Sequence, residues 1–100
     1  MSAIADLTIF PLDKGESVSS YVAEAVKVVQ TSGLEYQIGP MSTCFEGDWD
    51  TVIRVVKDCM DVMNNECSRV YMVLKVDYRS GIDHRMKGKV ESLNRILDEK

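Results

Sequence analysis

The fold is decided by one stretch of the sequence, RVYMVLKVDYR at residues 69–79. From residue 70 onward every second side chain is apolar or aromatic, while the side chains between them change from apolar to charged along the stretch. Because successive side chains of a β-strand point to opposite faces, this alternation predicts one long strand. Both faces begin apolar, so we expect either an interior position in a sheet or a face covered by another subunit.

Two kinds of pattern place the other elements around this strand. Alternating residues predict strands, and apolar residues spaced by three and four predict helices; Gly33 is positioned to end a helix and Gly39-Pro40 to turn a hairpin. The expected elements are strands at 3–12, 34–38, 41–47 and 69–79, and helices with apolar stripes at 18–29, 49–63 and 86–97.

The order of these elements, β-α-β-β-α-β-α, is that of a ferredoxin-like α+β fold. It predicts one antiparallel four-stranded sheet with two helices on one face, and a C-terminal helix in addition. A chain of 100 residues supplies one hydrophobic core, so residues 1–100 are expected to form a single domain. The second face of the sheet would then have no cover from its own chain, which predicts a homo-oligomer formed through sheet faces or edges.

The charge of the chain excludes two classes of partner. The net charge is −4 at pH 7, whereas proteins that bind nucleic acid or anionic membranes through phosphates need an excess of lysine and arginine. No apolar run approaches the roughly 20 residues that span a bilayer. The stretch 46–66 carries the whole of the net negative charge, so the remainder of the chain is balanced.

The sequence contains few residues in patterns that are typical of a catalytic or metal site. Its one histidine, His84, lies in a polar turn, and we interpret it as a solvated residue with no catalytic role. The three cysteines Cys44, Cys59 and Cys67 form no CxxC pair, so reduced thiols in a cytoplasm are expected. No cluster has the spacing of metal ligands, and we predict no catalytic residue, metal or cofactor.

Polar and aromatic residues are expected together on the sheet face that the helices leave open. If Ala5, Leu7 and Ile9 face the helices, the alternate positions of the first and last strands share the other face. These positions are Asp6, Thr8, Phe10, Tyr71, Val73, Lys75, Asp77 and Arg79. Lys75, Asp77 and Arg79 either form ordinary surface pairs or border a polar pocket for a heteroaromatic ligand at a junction between subunits.

Several segments resemble the small thiamine-binding proteins of ferredoxin-like fold, a family of about 100 residues per chain that was long classed as conserved proteins of unknown function. The similarity runs from about residue 5 to residue 97. It rests on TIFPL at 8–12, SVSSYVA at 17–23, SGLEY at 32–36, GPMST at 39–43 with EG at 46–47 and WD at 49–50, and RV at 69–70 with KVDYR at 75–79. Ser42 and Cys44 depart mildly from the family pattern.

The resemblance implies a cytoplasmic dimer or tetramer that binds thiamine, or its hydroxymethylpyrimidine part, without catalysis. A pyrimidine needs apolar or aromatic walls, hydroxyl or amide partners and a carboxylate. Candidates for these roles are Thr8, Phe10, Thr43, Glu46 and Asp77, with Lys75 and Arg79 beside them. Thr43 and Glu46 would lie on opposite faces of a regular strand, so they share a pocket only if Gly47 or a bulge redirects the chain; otherwise they serve turn and cap chemistry.

One other function remains open at this point. Ferredoxin-like domains also serve as metabolite-sensing regulatory modules or protein-interaction modules, and nothing in the residue pattern separates these from a binding protein. An acylphosphatase-like enzyme is disfavoured, because the loop at residues 13–16 has no arginine and one glycine with which to hold an anion.

Overall fold

A computed structural model describes residues 2–80 and 85–99 of the chain. His84 lies outside the described residues. The elements are β1 (Ser2–Pro11), α1 (Ser19–Thr31), β2 (Glu35–Ile38), β3 (Thr43–Gly47), α2 (Trp49–Asn64), β4 (Val70–Arg79) and α3 (Arg85–Asp98). All strand pairs are antiparallel and the sheet order is β2-β3-β1-β4, which confirms the predicted ferredoxin-like α+β fold with an additional C-terminal helix.

The alternation of β1 separates the two faces of the sheet. Ala3, Ala5, Leu7 and Ile9 are buried against the helices, while the residues between them point to the opposite side, which we call the open face. The core is completed from β3, α1 and α2 by Phe45, Ala25, Val29, Val52, Val55, Val56, Cys59 and Met63.

The pairing of β1 with β4 fixes which residues share the open face. All ten residues of β1 pair with β4 in one unbroken register, from Ser2 opposite Arg79 to Pro11 opposite Val70. The open face therefore carries the residues predicted for it, namely Asp6, Thr8, Phe10, Tyr71, Val73, Lys75, Asp77 and Arg79.

One expectation for β4 is wrong: it is an edge strand, with β1 as its only neighbour in the described sheet. An interior position was expected because both of its faces begin apolar. In the structure the apolar residues on the two faces of β4 are not all buried. Val76 and Tyr78 on the helix side and Tyr71 on the open face remain exposed. The second expectation, a face covered by another subunit, is compatible with these exposed groups.

The predicted turns take the shapes that their residues favour. Gly33 follows α1 with φ of +84°, the left-handed conformation that glycine adopts without strain. The hairpin between β2 and β3 closes where the amide of Gly39 donates to the carbonyl oxygen of Ser42 at 2.9 Å. Among the described helices, none combines the length and apolar character that crossing a membrane requires.

Candidate ligand-binding pocket

A cavity of about 350 Å³ lies where one end of β1 meets α1 and the hairpin between β2 and β3. Met41, one of its lining residues, is 83% exposed. Its lining residues are Leu7, Thr8, Ile9, Phe10, Val18, Val22, Ala25, Val26, Val29, Ile38, Gly39, Pro40, Met41, Ser42 and Thr43. The sheet thus forms its floor, α1 one wall and the hairpin the other.

The walls of this pocket are apolar and carry no charged side chain in the lining that the structure describes. The contribution of α1 consists of valines and one alanine, which are short enough to leave a gap between helix and sheet. An uncharged cavity of this size suits an apolar or aromatic group.

Hydrogen bonds hold the hairpin in place as a wall. Thr8 Oγ1 donates to the carbonyl oxygen of Met41 at 3.1 Å and so ties the hairpin loop to β1. Thr43 follows at the first position of β3, where it is 7% exposed and pairs with Leu7. The lining thus includes two neighbouring hydroxyl residues of the hairpin, Ser42 and Thr43.

The carboxylate of Asp6 lies next to the lining residue Leu7 in β1, on the open face of the sheet. Asp6 accepts hydrogen bonds from the Ser42 side chain and from Cys44 Sγ at 3.3 Å, and Lys75 Nζ lies 3.5 Å from its Oδ2. The bond from Ser42 is the main reason that the pKa of Asp6 is lowered, and those from Cys44 and Lys75 act in the same direction. Asp6 is therefore a stable anion connected to the pocket through Ser42.

The thiol of Cys44 is held in its neutral form. Burial is the main cause that raises its pKa, and the hydrogen bond to the Asp6 carboxylate adds to the effect. Cys44 thus donates a hydrogen bond to Asp6, and its raised pKa lowers the fraction of the nucleophilic thiolate at neutral pH.

Glu46 lies on the other side of the sheet from Thr43. The register between β1 and β3 is unbroken through Ile4–Glu46 and Leu7–Thr43, so no bulge at Gly47 redirects the chain. Glu46 is 6% exposed, and its Oε1 accepts a hydrogen bond from the backbone amide of Met86 at 3.3 Å. Its place in the fold is at the first turn of α3, where negative charge stabilises a helix N-terminus.

The seven predicted site residues separate into two groups. Thr8, Phe10 and Thr43 all line the pocket. The remaining four are away from it on the open face, where Lys75 pairs with Asp6 and Asp77 Oδ2 lies 2.9 Å from Lys89 Nζ. Those four residues are Glu46, Lys75, Asp77 and Arg79.

The sequence did not predict that α1 forms one wall of the pocket. Val18, Val22 and Val26 belong to the stripe that predicts a helix, and such a stripe is normally interpreted as core. The available signal was the size of these residues: the stripe of α1 has valine and alanine where α2 has isoleucine and methionines.

Comparison with known proteins identifies the family. Residues 5–94 match the family model described as Thiamine-binding protein. The chain belongs to this family. A UPF0045 protein of Mycobacterium bovis is 39% identical over 98 residues, which cover 97% of this chain and 96% of the relative. A UPF0045 protein of Methanothermobacter thermautotrophicus is 38% identical over 92 residues, covering 89% of this chain and 93% of the relative.

Solved structures of other proteins have a similar fold. A hypothetical protein of Methanocaldococcus jannaschii has a TM-score of 0.85 at 31% identity, covering 93% of this chain and 96% of that one. A Thermotoga maritima protein, provisionally named for thiamine biosynthesis or salvage, has a TM-score of 0.76 at 20% identity, covering 87% of this chain and 95% of that one. The second likeness is one of fold.

Proposed function

We propose that the chain is a non-enzymatic binding protein for thiamine or its hydroxymethylpyrimidine moiety, and that the ligand's ring enters the pocket between β1, α1 and the β2–β3 hairpin. Membership of the thiamine-binding family supports this ligand class. The observation that carries the proposal is the 350 Å³ cavity, whose described lining has no charged side chain and includes the hydroxyl residues Ser42 and Thr43.

The chemistry of an aminopyrimidine suits this lining. Its flat ring has apolar faces that pack against the valines of α1, and its amino group and ring nitrogens need acceptors and donors at the edge. The hydroxyls of Ser42 and Thr43 supply such partners. Asp6, bonded to Ser42, adds a negative charge that favours a protonated pyrimidine or the cationic thiazolium ring.

Binding without catalysis is consistent with the polar groups at hand. The polar side chains in the described lining are hydroxyls of serine and threonine, and no general base lies among them to activate one. We therefore assign the pocket to recognition.

An oligomer is part of this proposal. Trp49, Val76 and Tyr78 form an apolar groove of about 530 Å³ beside the edge strand β4, and each is between 37% and 47% exposed. Exposed apolar side chains beside an edge strand favour association with another copy. Three free thiols, at Cys44, Cys59 and Cys67, support a reducing compartment such as the cytoplasm.

Calorimetric titration with thiamine, thiamine phosphate and hydroxymethylpyrimidine tests the ligand. Val22→Phe fills the pocket from α1, so we expect its affinity to fall at least tenfold. Ile53→Phe, on the exposed side of α2 and outside the lining, is the matched control and should bind as wild type. Absence of heat with all three ligands would contradict the proposal and favour the interaction-module alternative. Unchanged binding by Val22→Phe would contradict the assignment of the ligand to this pocket.

A further inference from the structure

The cavity lies beside the part of β1 that has no partner in β3. The pairing of these two strands ends at Leu7 opposite Thr43, and the hairpin loop precedes Thr43 in the chain. Continued by one residue, the same register places Ser42 opposite Thr8. Both of these hydroxyl residues line the cavity.

The proton of each of these two hydroxyls is already used within the protein. Thr8 Oγ1 donates to the carbonyl oxygen of Met41 at 3.1 Å. The Ser42 side chain donates to Asp6, which lies two residues before Thr8 on the same face of β1. A hydroxyl group has one proton and two lone pairs, so an oxygen that donates within the protein can only accept a hydrogen bond from a ligand.

The surroundings of Asp6 keep it in the form that accepts hydrogen bonds. Asp6 pairs with Cys44 across the strands, Cys44 Sγ donates to its Oδ1 at 3.3 Å, and Lys75 Nζ lies 3.5 Å from its Oδ2. The hydrogen bond from Ser42 is the largest cause of the lowered pKa of this carboxyl, and the other two groups act in the same direction. An ionised carboxylate has no proton to donate, so the direction of the hydrogen bond from Ser42 is fixed at neutral pH.

We propose that Asp6 is a positioning residue for ligand specificity: it orients the Ser42 hydroxyl so that the pocket selects a pyrimidine with an exocyclic amino group over one with an oxo group. An amino group donates hydrogen bonds and meets the lone pairs of Ser42 and Thr8. An oxo group carries lone pairs itself and would face the same oxygens with no proton between them. This inference rests on the proposed function and assigns its ligand selectivity to a residue outside the described cavity lining.

The hydrogen bond to the amino group sets the size of the selectivity. A polar group that is removed from water and left without its partner costs more free energy than a completed hydrogen bond contributes. We therefore expect an oxo pyrimidine to bind more weakly than the matching amino pyrimidine by about tenfold or more.

Calorimetric titration of the full chain at pH 8 tests the selectivity with two matched pairs of ligands. The pairs are thiamine with oxythiamine, and hydroxymethylpyrimidine with its oxo analogue. Within each pair an oxo group replaces the amino group and the net charge is the same, so the affinity ratio reports the amino group and not the charge of Asp6. Equal affinities within a pair that binds would overturn the selectivity but not the proposed function, whereas absence of heat with all four ligands would overturn both.

Two variants test the positioning role. In Asp6→Asn the side-chain amide can donate to Ser42 and free its hydroxyl proton for a ligand, so the amino-to-oxo affinity ratio should fall by about threefold or more. Ser42→Ala removes the acceptor, so the amino ligand should bind about tenfold more weakly and the oxo ligand should not weaken. Asp77→Asn makes the same substitution at another carboxylate of the open face, outside the described lining, and should keep the wild-type ratio.

The affinity ratio is a readout that a merely structural role does not change. A variant that only displaced the hairpin would weaken both members of a pair equally. A wild-type ratio in Asp6→Asn or in Ser42→Ala would therefore overturn the role of Asp6. Circular dichroism confirms that each variant is folded, and Ser42→Ala, outside the strands, decides the question if Asp6→Asn does not fold.

Discussion

Thr8 Oγ1 lies 3.1 Å from the carbonyl oxygen of Met41, and this hydrogen bond joins residues 33 positions apart at the rim of the pocket. Thr8 belongs to β1, an interior strand of the sheet, whereas Met41 is in the loop of the hairpin. The bond therefore sets the position of the hairpin wall relative to the floor of the cavity.

Removal of this hydrogen bond should lower the ligand affinity of the pocket more than the stability of the fold. Thr8→Val keeps the shape of the side chain and loses the donor, at a cost of about 1 kcal/mol in the free energy of unfolding. We expect a roughly tenfold loss of ligand affinity, equivalent to about 1.4 kcal/mol. Thr8→Ser, which keeps the hydroxyl, should bind within about threefold of wild type. Urea unfolding and calorimetry measure the two effects, and equal affinity in Thr8→Val would contradict this role.

The carboxylate of Asp6 should make stability depend on pH in the acid range. Its pKa in the folded protein is lowered from 3.8, chiefly by the Ser42 hydrogen bond, so its stabilising contribution is complete above that value and is lost as pH falls through the folded pKa. Wild type should exceed Asp6→Asn in urea midpoint at pH 6, and the difference should shrink below pH 4. A difference in urea midpoint that grows as the pH falls would contradict the lowered pKa of Asp6.

The cysteines should react at very different rates in the native protein. Cys59 is buried, its Sγ donates to the carbonyl oxygen of Ala25 at 3.4 Å, and burial raises its pKa to about 11. At pH 8 we expect alkylation of Cys59 only after denaturation, with Cys44, which is half-buried, modified earlier. Mass spectrometry of iodoacetamide-treated peptides distinguishes the sites. Equal rates for Cys59 in native and denatured protein would contradict its placement in the core.

Replacement by alanine should change the stability of the protein in opposite directions at two glycines. Gly88 lies inside α3 and an added Cβ meets no atom within 4 Å, so Gly88→Ala should stabilise the helix by about 1 kcal/mol. Gly33 has a φ of +84°, and Gly33→Ala should destabilise the fold by about 1 kcal/mol. Urea unfolding followed by circular dichroism measures both. A gain from Gly33→Ala would be inconsistent with the left-handed turn after α1.

Local patterns were sufficient to predict the element order and the faces of the sheet. The alternation of β1 and β4 assigns Leu7 to the helix side and Lys75 to the open face from sequence alone, because a strand reverses its side chains at every residue. The same rule correctly separates Thr43 from Glu46 in β3.

Three features depend on contacts that a local pattern does not contain. Tyr71 and Val76 are exposed on the two faces of an edge strand. An interior strand also has apolar residues on two faces, so the sequence pattern does not distinguish the two positions. The pocket arises where the short side chains of α1 fail to fill the space above β1, and that gap depends on the distance between two elements. The partners of Glu46 and Asp77 likewise depend on where α3 begins.

The most direct test of the central claim is to map thiamine onto the chain by amide chemical shifts in nuclear magnetic resonance. The pocket account predicts the largest shifts at Val22, Val26, Ser42 and Thr43, with saturation as thiamine is added. Shifts confined to Asp77 and Arg79 on the open face would instead place the ligand at the other side of the sheet and contradict the account.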